Sequence, residues 1–255
     1  KSSLEDCSME RKYLAKWGGG CALDIGVTIE NFLDKKILFA KGKDTHTKKY
    51  FKERKYLKRI SLKKVKDIFP SQLSKYQMFK RELKDFSKKL DNKNILLTRG
   101  DFKETSSLKK ASNLATSGTS TWKKINKKGI LINSSLDGFG EKYRKIESYY
   151  KSRMTPTYKL SYEGNLFKSN YSNISHYKLV PSINEYTIDN LFSAKSFYWM
   201  SFSAFNLAIH LRPDILNQRN SCGPGQTYEQ ISKFIPKDKL NVYLNYQDFK
   251  KYELR

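Results

Sequence analysis

The sequence has few cysteines and no long apolar segment. Its 255 residues include three cysteines, Cys7, Cys21 and Cys222, and so sparse and odd a set does not build the disulfide framework of small secreted domains. No apolar run approaches the roughly 18 residues needed to cross a bilayer, and no secretory signal is recognisable. We therefore expect a protein of the reducing cytoplasm with no membrane partner.

Acidic residues are scarce relative to basic ones. The 25 Asp and Glu residues face 50 Lys and Arg residues, which gives a formal net charge of +25. A carboxylate-rich ligand, nucleic acid or simply a solvated basic surface would suit such a balance. Lysine outnumbers arginine by 40 to 10, whereas recognition of phosphate favours the planar arginine fork. We do not expect nucleic acid as the partner, but a non-catalytic basic module that binds it remains the alternative.

Histidine is also rare, and its positions exclude the common metal motifs. His46, His176 and His210 are isolated in the sequence, and no Cys or His spacing matches a zinc site. The Gly18–Gly20 run lacks the Lys and Ser or Thr that end a phosphate loop. We expect no metal site.

What the sequence does contain is a cysteine presented between a helix and a strand. An amphipathic run ends at Gly18, two further glycines follow, and Cys21 comes next. Apolar residues then alternate from Leu23 to Ile29, as on a strand with one buried face. Two further alternating segments, near residues 37–39 and 47–51, complete a predicted three-stranded antiparallel sheet. The glycines allow a bulky group to approach the backbone closely.

This stretch resembles the C-terminal domain of porphobilinogen deaminase (hydroxymethylbilane synthase). That family has a Glu-Arg-x-Phe-Leu run, then Gly-Gly-Cys, then a strand that begins near Pro-Ile-Gly. The matching residues, in order and spacing, are Glu10, Arg11, Tyr13, Leu14, Gly19, Gly20, Cys21, Ile25 and Gly26. Tyrosine replaces phenylalanine, and Asp24 stands where proline is usual. The resemblance covers about 17 residues and implies the family's helix and three-stranded meander.

The resemblance also implies a cofactor, a ligand and a partner. In the family, the cysteine holds dipyrromethane through a thioether and the growing tetrapyrrole is built on it, which implies that role for Cys21 beside Gly19 and Gly20. Porphobilinogen would be the ligand, and the family's N-terminal domains would act in cis or in trans. Those domains supply the acidic residue for condensation, so we expect the isolated chain not to catalyse this reaction. The nearby Lys16 and Arg11 would favour a thiolate.

The composition and the apolar pattern of the sequence change near residue 91. Residues 52–90 are rich in lysine with periodic apolar positions interrupted by Pro70, which predicts two helices in a basic extension. The polar run 91–94 predicts a domain boundary. From Ile95 onward, short apolar strands alternate with helical stretches and glycines, which is typical of α/β units. We therefore predict domains over residues 1–90 and 92–255.

Two segments of the second domain resemble each other. Thr121-Trp122-x-x-Ile125 and Thr227-Tyr228-x-x-Ile231 share their spacing, and each follows a glycine-containing turn. They indicate an internal repeat.

The second domain resembles a degenerate uroporphyrinogen-III synthase, a family of two α/β lobes. Leu96, Leu97, Thr98 and Arg99 match its Leu-Leu-Thr-Arg strand, and Ser201, Ser203 and Ala204 match its Ser-x-Ser-Ala strand end. Its Gly-Pro-x-Thr-Ala helix start corresponds to Gly118 with Thr121 and to Gly223 with Thr227, the latter with one extra residue. The resemblance implies that hydroxymethylbilane binds to a set of hydroxyl and cationic side chains: Thr98, Arg99, Thr121, Ser201, Ser203 and Thr227.

Helix N-termini with hydroxyl side chains suit the carboxylates of such a ligand. Ordinary helix capping explains the same residues.

The predicted fold class is α/β and α+β, with a small domain of a helix and a three-stranded antiparallel sheet followed by α/β lobes. The predicted function is tetrapyrrole biosynthesis, as the C-terminal part of hydroxymethylbilane synthase fused to a synthase-like region. The alternatives are uroporphyrinogen-III synthase activity alone or a non-catalytic basic module. No catalytic residue is identified.

Overall fold

The structure is a computed structural model in which the chain forms two compact units. The described residues are 2–18, 23–32, 35–57, 66–86, 90–103, 105–141, 156–165 and 169–253. The first unit comprises Lys1–Lys64 with Arg255, and the second comprises Val65–Leu254. No helix in these described ranges is long and apolar enough to cross a membrane.

The first unit begins with a helix and continues as an antiparallel sheet. Helix α1, Ser2–Leu14, runs into a 3-10 turn over Ala15–Trp17. The strands are β1 (Ile25–Phe32), β2 (Lys35–Lys43) and β3 (Tyr50–Tyr56), and they pair in the order β1-β2-β3. Both pairings are antiparallel. The predicted helix with a three-stranded antiparallel sheet is therefore confirmed.

Helix α1 packs on one face of this sheet. Tyr13 joins Leu38 and Ala40 in a small buried cluster. The Glu10 side chain adds a polar tie, because its Oε1 accepts a hydrogen bond of 2.8 Å from the backbone N–H of Ile29 in β1. Apolar burial thus fixes the face of the helix and a side-chain acceptor fixes its position along β1.

The second unit contains two mainly parallel sheets, which we call the six-stranded lobe and the four-stranded lobe. The strands of the six-stranded lobe, in spatial order, are β5 (Phe79–Leu83), β10 (Ser172–Pro181), β9 (Tyr158–Tyr162), β6 (Asn94–Leu97), β7 (Asn113–Thr116) and β8 (Ser134–Ser135). Those of the four-stranded lobe are β13 (Leu240–Val242), β12 (Arg219–Cys222), β11 (Ser196–Trp199) and β4 (Ile68–Phe69). Only the β5–β10 pairing is antiparallel.

Helices connect these strands and cover the sheets. The six-stranded lobe includes α2 (Ser106–Lys109) and α3 (Thr119–Asn126). The four-stranded lobe includes α4 (Glu185–Ser193), α5 (Phe202–Leu211), a 3-10 turn (Pro213–Asn217), α6 (Gln226–Ile231) and α7 (Tyr246–Glu253). Alternation of short buried strands with helices is the α/β pattern that the sequence predicts, and the fold class is confirmed.

The four-stranded lobe is discontinuous in sequence. Strand β4 pairs with β11, where Ile68 lies opposite Ser196 and Phe69 opposite Phe197. The chain then crosses to the six-stranded lobe through β5 and returns through β10. The six-stranded lobe is thus inserted between two parts of the four-stranded lobe.

This connectivity corrects the interpretation of residues 52–90. The predicted pair of basic helices is wrong for the described part of this stretch, which contains most of β3 and all of β4 and β5. Strand β3 pairs with its neighbour β2, whereas β4 and β5 pair with strands more than 90 residues away. Such pairing overrides a local helical period. The two units also divide between residues 64 and 65, whereas the sequence predicts a boundary at 91–94.

Two smaller differences concern the six-stranded lobe. The sequence after Arg99 and Gly100 predicts a helical stretch to about Leu114, but in the described part of this stretch only α2 is helical, and Leu114 lies in β7, paired with Ile95. The apolar run Ile130-Leu131-Ile132 predicts a strand, but the strand that pairs with β7 is Ser134–Ser135. Ile130 and Ile132 are nevertheless buried, so the apolar pattern marks burial rather than the strand itself.

Candidate functional site

Three predicted site residues meet at the carboxyl end of β6. Thr98 directly follows this strand, and its hydroxyl donates to the carbonyl oxygen of Leu160 at 2.7 Å. Its own carbonyl oxygen accepts hydrogen bonds from Ser117 Oγ at 3.0 Å and from Thr121 Oγ1 at 3.3 Å. Arg99 is the next residue in the chain. The carboxyl ends of parallel strands are where α/β proteins bind ligands.

Two further side chains, Tyr177 and His176 of β10, border this strand end. Burial raises the pKa of the Tyr177 hydroxyl, and the Arg99 charge and the Thr98 side chain act in the opposite direction. Burial is also the main cause that lowers the pKa of His176 to about 4, and Arg99 lowers it further. At neutral pH the site therefore combines a neutral imidazole, a protonated phenol and a cation.

The other three predicted residues belong to the four-stranded lobe. Ser201 is the N-cap of α5, and its Oγ accepts a hydrogen bond from the backbone N–H of Ala204 at 3.2 Å. Ser203 and Thr227 lie in the first turns of α5 and α6 and are half-buried. Capping accounts for Ser201. The hydrogen bonds of Thr98 and Thr121 stay within the six-stranded lobe, so the structure brings together the first three predicted residues and leaves the other three in the second lobe.

The repeated sequence segments occupy corresponding places in the two lobes. Thr121 lies on α3, which follows β7, and Thr227 lies on α6, which follows β12. The strand before each of these helices pairs in parallel with the first strand of its strand–helix–strand unit, so that β7 pairs with β6 and β12 pairs with β11. Ile125 and Ile231 are both fully buried beneath their helices. Each lobe therefore presents a threonine-bearing helix at the carboxyl end of an equivalent strand.

The lobes approach each other through glycines. Gly225 has φ +107°, and a Cβ built on it would lie 2.5 Å from the carbonyl oxygen of Gly138. A Cβ on Gly140 would lie 3.1 Å from Cα of Gly225. Any side chain at Gly225 would collide with backbone, so glycine allows the loop after β8 to touch the turn after β12. The segments in contact both follow the carboxyl ends of strands.

Cys21, Gly19 and Gly20 lie outside the described residues. The chain on either side of them is described and well anchored. Trp17 stacks on Phe51 with ring centroids 5.3 Å apart, and its Nε1 donates to Asp44 Oδ2 at 3.0 Å. Hydrogen bonds from the Thr47 backbone and from Trp17 lower the pKa of Asp44 to about 2. On the other side, the carbonyl oxygen of Asp24 accepts a bond of 2.9 Å from the Lys43 N–H.

The helix next to this loop has its own polar contacts with the sheet. The Tyr13 hydroxyl donates to the Glu53 carboxylate, and both burial and that carboxylate raise the pKa of the phenol. Lys16 Nζ lies 4.2 Å from the centroid of the Tyr13 ring and Lys55 Nζ lies 4.9 Å from it. Both cations thus lie over the Tyr13 ring, Lys16 from the 3-10 turn that follows α1 and Lys55 from β3.

Comparison with known proteins identifies no relative. No protein-family model matches the chain, and no curated protein or solved structure matches it. The family of the chain is therefore not shown, and its function has to be argued from the residues.

The geometry adds residues that the sequence did not indicate as site residues. Ser117 and Tyr177 touch or border the Thr98 strand end, and Glu141 lies between the lobes. A single sequence gives no signal for them, because a serine in a turn and a tyrosine in a strand are common. Within the described ranges, no three His, Cys, Asp or Glu side chains come close enough to hold a metal ion.

Proposed function

We propose that the chain is the C-terminal part of a tetrapyrrole-biosynthesis protein. Its first unit would hold dipyrromethane on Cys21 for the deaminase reaction, and its second unit would bind hydroxymethylbilane and close it to the cyclic uroporphyrinogen-III. The observation on which the second part rests is the repeated arrangement of the two lobes. Each presents a threonine-bearing helix at a strand end, and one adds Arg99.

The first unit supports the proposal through its fold and the anchoring of its loop. A helix followed by a three-stranded antiparallel sheet is the architecture that the resemblance implies. The segment with Gly19, Gly20 and Cys21 joins the anchored Trp17 to the anchored Asp24. A covalent cofactor requires its thiol at a defined place, and the described residues on both sides of this segment are held by hydrogen bonds.

The second unit supplies the chemistry that a flexible polycarboxylate needs. Arg99 follows the β6 strand end and offers a charge-assisted donor for a carboxylate. The Thr98 and Thr121 hydroxyls donate to the Leu160 and Thr98 carbonyl oxygens, so they shape this strand end and leave Arg99 as its donor for the ligand. Burial raises the pKa of the Tyr177 phenol above its ordinary value, so this hydroxyl at the same strand end keeps its proton at neutral pH. Donors from two lobes would hold the two ends of a linear tetrapyrrole together, which favours ring closure by proximity.

The isomer ratio of the product tests the second unit. Freshly generated hydroxymethylbilane is given to the chain, and the uroporphyrin isomers are separated after oxidation, with a reaction lacking protein alongside. We expect an excess of the III isomer over the I isomer that forms spontaneously. A ratio equal to that of the reaction without protein would refute synthase activity and leave Cys21 as the proposed chemical site.

An arginine pair sharpens this test. Arg99→Gln should reduce the rate of III-isomer formation by about tenfold or more, since a hydrogen bond to a charged group contributes about 1.5–3 kcal/mol. Arg81→Gln makes the same change on exposed strand β5 and should leave the rate unchanged. Equal loss in both variants would show that general charge, rather than the β6 strand end, attracts the substrate.

Intact-mass measurement tests the first unit. The chain is incubated with porphobilinogen and with separately supplied N-terminal deaminase domains, and its mass is measured. We expect a covalent dipyrromethane adduct that Cys21→Ser abolishes completely. Cys7→Ser removes an exposed thiol on α1 and should retain the adduct, whereas an adduct that survives in Cys21→Ser would place the chemistry elsewhere.

A further inference from the structure

A buried carboxylate, that of Glu141, connects the two lobes of the second unit. Its Oε1 accepts hydrogen bonds from Lys159 Nζ at 2.5 Å and from Gln226 Nε2 at 2.6 Å. Its Oε2 accepts one from Ser169 Oγ at 2.5 Å. Lys159 and Ser169 belong to the six-stranded lobe, whereas Gln226 begins α6 of the four-stranded lobe. One carboxylate thus binds donors from both lobes.

The carboxylate is held rigidly on its own side. The Glu141 side chain is 8% exposed and that of Lys159 is 1% exposed, so the ion pair is shielded from water. An ion pair inside a protein persists only when its remaining hydrogen-bonding capacity is satisfied, and Ser169 and Gln226 contribute to that. The six-stranded lobe therefore holds the Glu141 carboxylate in a fixed position. Gln226 is the hydrogen-bond donor that reaches this carboxylate from the four-stranded lobe.

The backbones of the two lobes are in contact next to the Glu141–Gln226 hydrogen bond. Gly225 immediately precedes Gln226, and Gly138 and Gly140 lie just before Glu141. The close distances from a Cβ on Gly225 to Gly138 and Phe139 show that these backbones are in contact. The amide of Gln226 can reach Glu141 only while this contact is closed.

The lobes have a second connection, formed by the two chain crossings. The crossings are held together where Ser182 N donates to Met78 O at 2.9 Å and Gln77 Nε2 donates to Ser182 Oγ at 2.9 Å. They lead into β5 and out of β10, at one edge of the six-stranded sheet, whereas the glycine contact follows β8, the strand at the other edge. Two covalent crossings at one edge and a small polar contact after the other are the arrangement of a hinge and a latch.

We propose that Glu141 and Gln226 form a latch that holds the lobes of the second unit closed and so sets the separation of their strand ends. This conformational role does not depend on the proposed reaction. If the second unit binds a ligand between its lobes, the latch controls access to it. The Gln226 side chain is half-buried and donates to Glu141 Oε1, whereas the ion pair joins Glu141 to Lys159. Gln226 can therefore be changed without removing either partner of the ion pair.

Hydrogen–deuterium exchange of the full chain tests the latch without any ligand. Gln226→Glu places a second carboxylate against Glu141, and the two should repel. We expect amides in peptides 136–141 and 223–229 to exchange about tenfold faster or more than in the unaltered chain, while peptides from β6 and β11 keep their rates. Gln230→Glu makes the same change one helical turn later in the sequence and should leave all four peptides unchanged.

A charge reversal distinguishes the latch from damage to α6. Gln226→Lys retains a donor for Glu141 and should keep the slow exchange of both peptides, although it alters the same position as Gln226→Glu. Fast exchange in Gln226→Lys equal to that in Gln226→Glu would overturn the proposal, because any substitution would then loosen the helix. Unchanged exchange in Gln226→Glu would overturn it as well. Neither result depends on the isomer ratio, so the latch and the proposed function can fail separately.

Discussion

Replacing Lys159 with methionine should lower the free energy of unfolding by about 3–5 kcal/mol, the usual cost of removing one partner of a buried ion pair. Methionine preserves most of the apolar stem but leaves the Glu141 carboxylate without its cation. That carboxylate is only 8% exposed, so water cannot replace the lost charge. Denaturant unfolding followed by circular dichroism, with linear extrapolation to water, measures the difference.

An exposed lysine provides the matched control. Lys124 pairs with Asp101 at 3.1 Å, but the two side chains are 59% and 37% exposed. Exposed pairs contribute about 0–1 kcal/mol, so Lys124→Met should change stability by no more than that. Equal effects of the two substitutions would contradict the buried character of the Lys159–Glu141 pair.

Neutralising the carboxylate as well should recover stability. In the double variant Lys159→Met with Glu141→Gln, no isolated charge remains, and the amide oxygen still accepts one hydrogen bond. We expect this variant to be more stable than Lys159→Met alone by about 1–3 kcal/mol. No recovery would mean that the lysine acts through packing, and the ion pair would not be the source of the stability.

The first unit could be predicted from the sequence because its contacts are local. Alternation from Leu23 to Ile29 places Ile25, Val27 and Ile29 on one face, and the neighbouring strands follow after short turns. A hairpin needs only sequence-adjacent strands to find each other. The segment with Cys21 lies outside the described residues, so the predicted loop there stays a prediction.

The connection between the lobes could not be predicted because it is distant in sequence. Strand β4 has two residues, and its partner β11 lies about 127 residues later. No periodicity appears in two residues, and the apolar spacing of residues 52–90 predicts a helix at Phe69 instead. Phe69 is buried in the core of the four-stranded lobe. Its strand conformation is therefore determined by tertiary packing rather than by local propensity.

Motif spacing selected the three predicted site residues that lie together at the β6 strand end. Thr98 and Thr121 lie 23 residues apart, yet one strand–helix–strand unit brings them to hydrogen-bonding distance. Parallel strands connected by helices make this a general consequence of the topology. The contribution of β10 could not be foreseen, since Tyr177 lies far from Thr98 in the sequence and β9 separates its strand from β6 in the sheet.

Acid should destabilise the chain through His176, and His176→Phe should remove that effect. The imidazole is 1% exposed, stacks on Phe102 with centroids 4.5 Å apart and meets the Tyr177 ring edge-on. The Ser161 backbone favours the protonated ring, but neither ring nitrogen of the buried imidazole makes a hydrogen bond to a residue that the structure describes. A phenyl ring would therefore leave no hydrogen bond unmade.

The direction follows from the two pKa values of His176. Burial, with Arg99, lowers the folded-state value to about 4 against the effect of Asp101, while the ordinary value is 6.5. Between these two pKa values His176 is protonated in the unfolded chain but neutral in the folded chain. The free energy of unfolding therefore falls as the pH decreases through this window.

The expected size of the effect is up to about 3 kcal/mol, from about 1.4 kcal/mol per pKa unit. Unfolding free energies are compared at about pH 7.5 and about pH 4, where the difference between His176→Phe and the unaltered chain should grow by this amount in favour of the variant. Carboxylates that titrate in the same range cancel in that difference. His210→Phe, at an exposed position on α5, should leave the pH dependence unchanged. If the two variants respond to pH alike, the buried imidazole does not couple folding to protons.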